Sequence, residues 1–225
     1  MIMSIFDPSG LAAPGREAGK GQAAFSAAHT GQWSWQELIG VTNRRLFASG
    51  EDFLERLRQI AAHRPRAIVL REKDLSEACY EELAQKVLLL CRRAGVPCIL
   101  HGFPGIAARL QPDGLHLPLP LLRTLTPAVR ASFLQLGTSC HSVADAREAV
   151  QLGCTYLFAG HIFATSCKPG LPPRGLSFLQ EVTAAVPLPV YAIGGLTPAR
   201  VPLVRAAGAK GACAMGSLMQ GNLWF

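Results

Sequence analysis

Eight short apolar runs, each followed by a helical or loop-helix segment, constrain this chain more than any other feature. They lie in ELIGVT (37–42), RAIVLR (66–71), PCILHG (97–102), DGLHL (113–117), FLQLGTS (133–139), TYLFAGHIF (155–163), PVYAIGG (189–195) and GACAMGS (211–217). Between them lie segments with apolar residues at helical spacing, among them GEDFLERLRQIAAH and SEACYEELAQKVLLLCRRAG, the second closed by Gly95. The runs are nearly continuous rather than alternating, as in strands buried on both faces of a parallel sheet. Eight such units predict an α/β fold, a closed (β/α)8 TIM barrel over residues 37–225. The rival is a doubly wound open sheet. It usually has fewer strands and an early glycine fingerprint, and none follows the first run.

Composition narrows the setting. A chain of 225 residues, 49% of them hydrophobic, fits one large core, hence a single domain. Residues 1–36, rich in Gly, Ala and Ser with Pro8 and Pro14, read as a flexible N-terminal extension whose end Trp33 and Trp35 would pin. No apolar run is long enough to span a bilayer, and the N-terminus lacks a secretory pattern. The seven cysteines are odd in number and contain no CxxC pair, as expected of reduced thiols in a cytoplasmic protein. The net charge of +7 is scattered, with no basic run interleaved with aromatics, so neither nucleic acid nor membrane is the expected partner. The same charge suits a small anionic substrate or simply an Arg-rich surface.

In a barrel of this kind the active site lies at the C-terminal strand ends. The residues just past the runs are Arg71-Glu72-Lys73, His101, Ser139-Cys140-His141, His161 with Thr165 and Lys168, Gly194-Gly195, and Met215-Gly216-Ser217, with His116 ending the fourth run. Four of six histidines therefore gather at one mouth. The two glycine-bearing ends suit phosphate, because barrels often bind it with the last two loops and glycine lets backbone N–H groups approach. Tight turns with positive φ would select the same glycines. Ser142 with Asp145 resembles a capping-box start, placing His141 at a helix entry that disfavours the imidazolium. A neutral imidazole is a usable general base, and once protonated an acid; a histidine merely hydrogen-bonded in a loop is the plain alternative. Lys73 and Lys168 read equally as surface charges or anion contacts. Glu72 reads as a salt-bridge partner. The histidines lack metal-site spacing and adjacent carboxylates, and Cys140 would point away from His141 on an extended segment. No metal and no organic cofactor are expected.

Taken together, VLREK, GTSCHS, AGHIFATSCKPGLPPRGLSFL, PVYAIGGLTP and AGAKGACAMGS resemble the thiamine phosphate synthase and TenI superfamily, from about Leu38 to Leu218 and most closely from Gly137 onward. In the synthases two aspartates hold Mg²⁺. Here Gly102 and Leu121 stand where they would be, with His101 in place of the usual Asn and Val69 in place of a Gln. The TenI branch, a thiazole tautomerase without those ligands, has its catalytic histidine in a Ser-x-His-Ser motif, matched by Ser139-Cys140-His141-Ser142. The resemblance thus implies conversion of a carboxylated dihydrothiazole phosphate to the aromatic carboxythiazole phosphate. His141 would carry the proton. Arg71, Lys73, His101, Ser139, Thr165 and Lys168 would meet the substrate, and Gly194, Gly195, Met215, Gly216 and Ser217 the phosphate. The expected partner is a small phosphorylated thiazole, with homo-oligomerisation left open. A synthase-like transferase and a non-catalytic thiazole-phosphate-binding protein are the alternatives.

Overall fold

The computed structural model describes residues 33–221 and 224. Residues 1–32 of the expected extension lie outside the described residues. Residues 33–36, assigned to that extension by composition, pack against the barrel. Trp33 meets Trp35 edge-on at 5.3 Å and Trp224 at 5.0 Å, and Trp35 stacks on His63 at 4.5 Å.

Eight parallel strands close into a barrel in chain order: β1 (Leu38–Val41), β2 (Ala67–Leu70), β3 (Cys98–His101), β4 (Gly114–Pro118), β5 (Leu136–Cys140), β6 (Tyr156–Gly160), β7 (Val190–Ile193) and β8 (Gly211–Ala214). Pairing of Ile39 with both Ala67 and Cys213 seals the cylinder. This excludes the open-sheet rival. The helices are α1 (Gly50–Ala62), α2 (Glu77–Ala94), α3 (Pro104–Leu110), α4 (Leu119–Thr124), α5 (Pro127–Ala131), α6 (Val143–Gln151), α7 (Gly175–Ala185), α8 (Val201–Ala206) and α9 (Gly216–Met219). The Pro-bounded stretch after the fourth run resolves into α4 and α5, each with proline in its first turn, where its missing N–H costs nothing. The long helix α2 starts on Ser76, whose hydroxyl accepts from Cys79 N, and stops at left-handed Gly95.

Strand alternation explains why the runs are apolar throughout. One set, including Ile39, Val69, Ile99, Tyr156, Phe158 and Tyr191, fills the lumen. The other, including Leu38, Ile68, Leu100, Leu115 and Leu157, packs under the helices. The expected end of the fourth run at His116 is corrected. The strand continues to Pro118, and His116 sits mid-strand, almost wholly buried. A proline can close a strand because no further ladder donor is required there.

Candidate active site

Three cations crowd the mouth. Lys73 is exposed overall, yet partial desolvation of its ammonium, reinforced by Arg71 and Lys168, lowers its pKa. Arg71 also reaches across to β8, with Nη1 4.0 Å from Met215 Sδ. Among the described residues none of the three forms an ion pair with an acid. The expectation that Glu72 pairs with its neighbours is corrected. Its side chain turns away and is buried, accepting from Thr42 Oγ1 at 2.5 Å and from Arg44 N at 3.0 and 3.1 Å. Burial raises its pKa, against the pull of the Thr42 hydrogen bond.

Beneath the cations lie two neutral imidazoles. His101 ends β3 and pairs in register with His116 on β4, so both rings enter the lumen and stack with centroids 5.7 Å apart. Burial, then Lys73 and Arg71, depress His101 to about 3. Burial, then His101, Arg71 and Lys73, hold His116 well below the usual histidine range. His116 lies between Tyr156 Oη (3.1 Å from Nδ1) and Ser139 Oγ (3.0 Å from Nε2).

His141 lies just past β5, on the same inward parity as Ser139. Its position is set twice. Asp145 Oδ2 accepts from the His141 backbone N–H at 2.8 Å, while Ser142 Oγ caps α6 by accepting from Asp145 N at 3.0 Å. The shorter Asp thus reaches one residue before the N-cap, not the N-cap itself as in a capping box. The ring donates from Nδ1 to the Gly160 carbonyl at 2.7 Å. A carbonyl can only accept, so the neutral ring carries its proton on Nδ1 and its lone pair on Nε2. Gly160 pairs with Ile193, the residue before Gly194-Gly195. Cys140, beside it, faces the helices in a buried position that pushes its thiol up to about 12, so it supplies no thiolate.

The glycine-bearing ends are tightly built. Gly194 has φ +99°, and a Cβ there would lie 2.2 Å from His161 Cβ; Gly195 has φ +65° and a Cβ would meet Ala164 O at 2.4 Å. Both glycines are therefore required by the passage of the β6–α7 loop. Their small size also leaves backbone N–H groups accessible. Ser217 Oγ donates to Leu196 O at 2.7 Å and accepts from Trp224 Nε1 at 3.1 Å, tying the last two loops together. Its hydroxyl is thus committed, leaving the backbone of Gly216 and Ser217, the first turn of α9, to meet a ligand. Thr165 Oγ1 accepts from Cys167 N at 3.3 Å, and Lys168 N donates to Thr165 O at 3.2 Å, so Thr165 shapes its own loop. His161 donates from Nε2 to Leu171 O at 3.3 Å, folding that loop inward.

The residues present do not fit the Mg²⁺ that the synthase resemblance implies. That ion needs oxygen ligands. Gly102 and Leu121 offer no side-chain oxygen, Glu72 is spent on Thr42 and Arg44, Asp74 is paired with Arg44, and Arg71, Lys73 and Lys168 bring positive charge to the mouth. Among the described residues no group of three or more His, Cys, Asp or Glu could hold a metal ion.

One member of the mouth, Tyr156, has no counterpart in the sequence reading, and one, His116, lies deeper than that reading places it. Strand-end logic expects His116 at the rim and does not single out Tyr156. The available signal was a polar ring inside an apolar run: on β4, His116 shares parity with Gly114 and Pro118, hence the lumen face.

The family model described as thiamine monophosphate synthase (TMP-TENI) matches residues 38–218. The chain belongs to this family. Similar members include the thiamine-phosphate synthase of Syntrophomonas wolfei, 32% identical over 185 residues, 80% of this chain and 86% of that protein. Another is the putative thiamine-phosphate synthase 2 of Aquifex aeolicus, 32% identical over 184 residues, 81% and 97% of the two chains. The solved thiamine phosphate pyrophosphorylase of Pyrococcus furiosus aligns with a TM-score of 0.70 and 25% identity, over 84% of this chain and 90% of that one. No helix among the described residues of this family member is long and apolar enough to cross a membrane.

Proposed function

We propose that this family member is a thiazole tautomerase of thiamine biosynthesis, turning a carboxylated dihydrothiazole phosphate with an exocyclic double bond into aromatic carboxythiazole phosphate. The observation that carries this reading is the hydrogen bond from His141 Nδ1 to the Gly160 carbonyl, which leaves Nε2 as the basic nitrogen. Nε2 takes the proton from the ring carbon bearing the carboxylate. The electron pair shifts through the ring to the exocyclic carbon, which takes the proton back from the same nitrogen. Nδ1 stays protonated throughout. The negative charge that builds toward the carboxylate is met by Arg71, Lys73 and Lys168, and aromatisation drives the exchange forward. The phosphate sits on backbone N–H groups of Gly194, Gly195, Met215, Gly216 and Ser217. His101 packs beneath the ring as a neutral floor, and Thr165 holds the loop above it.

The direct test follows the absorbance of the aromatic product from the dihydrothiazole in a chelator-treated assay. Turnover without divalent metal is expected, and its absence overturns the assignment. The names of the relatives favour a second reading, a synthase-like transfer joining a pyrimidine diphosphate to a thiazole phosphate. Product formation from those two precursors, dependent on added Mg²⁺, would establish it.

A further inference from the structure

We propose that Tyr156, His116 and Ser139 form a neutral relay that aims the Ser139 hydroxyl hydrogen at the carboxylate of the bound substrate, with Ser139 as a catalytic donor and His116 and Tyr156 as positioning residues. This deepens the tautomerase reading and rests on it.

The relay starts from a glycine. A Cβ at Gly137 would lie 2.1 Å from the Tyr156 ring, so only a bare backbone lets that ring lie across β5. The phenol thereby reaches His116, one strand beyond, at 3.1 Å, inside a fully buried environment. Burial keeps the phenol protonated by raising its pKa well above the ordinary value. Burial likewise keeps the imidazole neutral, reinforced by His101, Arg71 and Lys73 facing it from β3 and the β2 end. Phe158 stacks on the same ring at 4.2 Å and fixes its plane.

A neutral imidazole has one donor and one acceptor nitrogen. Two hydroxyls flank it, and a phenol is a better donor and a poorer acceptor than an aliphatic hydroxyl, so the phenol gives its hydrogen to the lone pair on Nδ1. The ring then carries its proton on Nε2 and donates it to Ser139 Oγ, 3.0 Å away. The serine's own hydrogen is left to donate elsewhere. Ser139 is the partly exposed residue of an otherwise buried strand, on the same inward parity as His141 two residues on. It thus faces the mouth next to the proton carrier. When His141 takes the proton from the carbon beside the carboxylate, charge builds on the carboxylate oxygens, and a pre-aimed donor there is stronger in the transition state than in the ground state. No atom is transferred through the relay; its hydrogen bonds only keep their directions.

The test uses the full chain labelled with ¹⁵N-histidine. The expected spectrum shows His116 protonated on Nε2, and Tyr156→Phe erodes that preference. A ring protonated on Nδ1 in the wild-type protein overturns the relay. In parallel, Ser139→Ala and His116→Leu each lower kcat about 10²-fold with KM nearly unchanged. The double variant is no worse than either single one, and His116→Gln, which keeps an N–H near Ser139, recovers part of the loss. Additive losses, or losses confined to KM, reject the aimed donor. If His116→Leu fails to fold, Tyr156→Phe and Ser139→Ala still decide. Should the wild-type protein not turn over the dihydrothiazole, the tautomerase reading fails, and the ¹⁵N spectrum still decides the relay.

Discussion

Two histidine environments one strand apart set the logic of this mouth. On β4, His116 is buried, neutral, and engaged at both nitrogens by Tyr156 and Ser139. Past β5, His141 stands at the exposed rim, held at Nδ1 by Gly160 and at its backbone by Asp145. The same side chain therefore has two chemistries. A ring with both nitrogens occupied orders its neighbours. A ring with one anchored nitrogen can exchange a proton with a ligand, and the anchor decides which nitrogen does so.

The largest effect expected from breaking this contrast is at the rim. His141→Asn should lower kcat for the dihydrothiazole about 10²–10⁴-fold. Calorimetric affinity for carboxythiazole phosphate should stay nearly intact; equal loss of binding would make His141 a ligand contact instead. Next comes the wall beside it. Gly194→Ala places a Cβ against His161 at φ +99°, and should cost about 3 kcal/mol, read from urea midpoints.

The floor should show itself through acid. His101 is depressed to about 3 in the fold, against 6.5 ordinarily, and His116 is also depressed. Below about pH 6.5 the unfolded chain takes up protons that the buried rings refuse. Stability should therefore fall as pH drops, by up to about 1.4 kcal/mol per pH unit for each ring, until His101 itself protonates in the fold. His101→Asn removes one contribution, so its urea midpoint should change less between pH 7 and 5 than that of the wild type. Smallest is the expected effect at Cys140, beside His141 in sequence but facing the helices. Cys140→Ala should keep kcat within about twofold, measured in the same assay. A large loss there would mean that the outer face of β5 sets the rim histidine.

The barrel was legible because its signal is repeated. Eight apolar runs with helices between them admit few closures, and strand parity then places every run residue inside or outside. The strand-end residues were legible for the same reason. What escaped depends on contacts between strands. DGLHL alone cannot show that His116 meets a phenol from β6, since that meeting requires Gly137 to lack a side chain on the strand between them. The place of Glu72 is hidden because sequence adjacency to Arg71 and Lys73 suggests pairing with them. On a strand exit, neighbours diverge, and its partners came from Thr42 and Arg44, about thirty residues earlier.

That buried carboxylate has a consequence for how ligands arrive. With its oxygens turned to the first loop, the entrance keeps an unbalanced positive potential over Arg71, Lys73 and Lys168. Doubly negative molecules should be drawn in from beyond contact range, and capture should slow as ionic strength rises, because added salt shortens that reach to about 8 Å under physiological conditions. The acid thus serves traffic by standing aside from it.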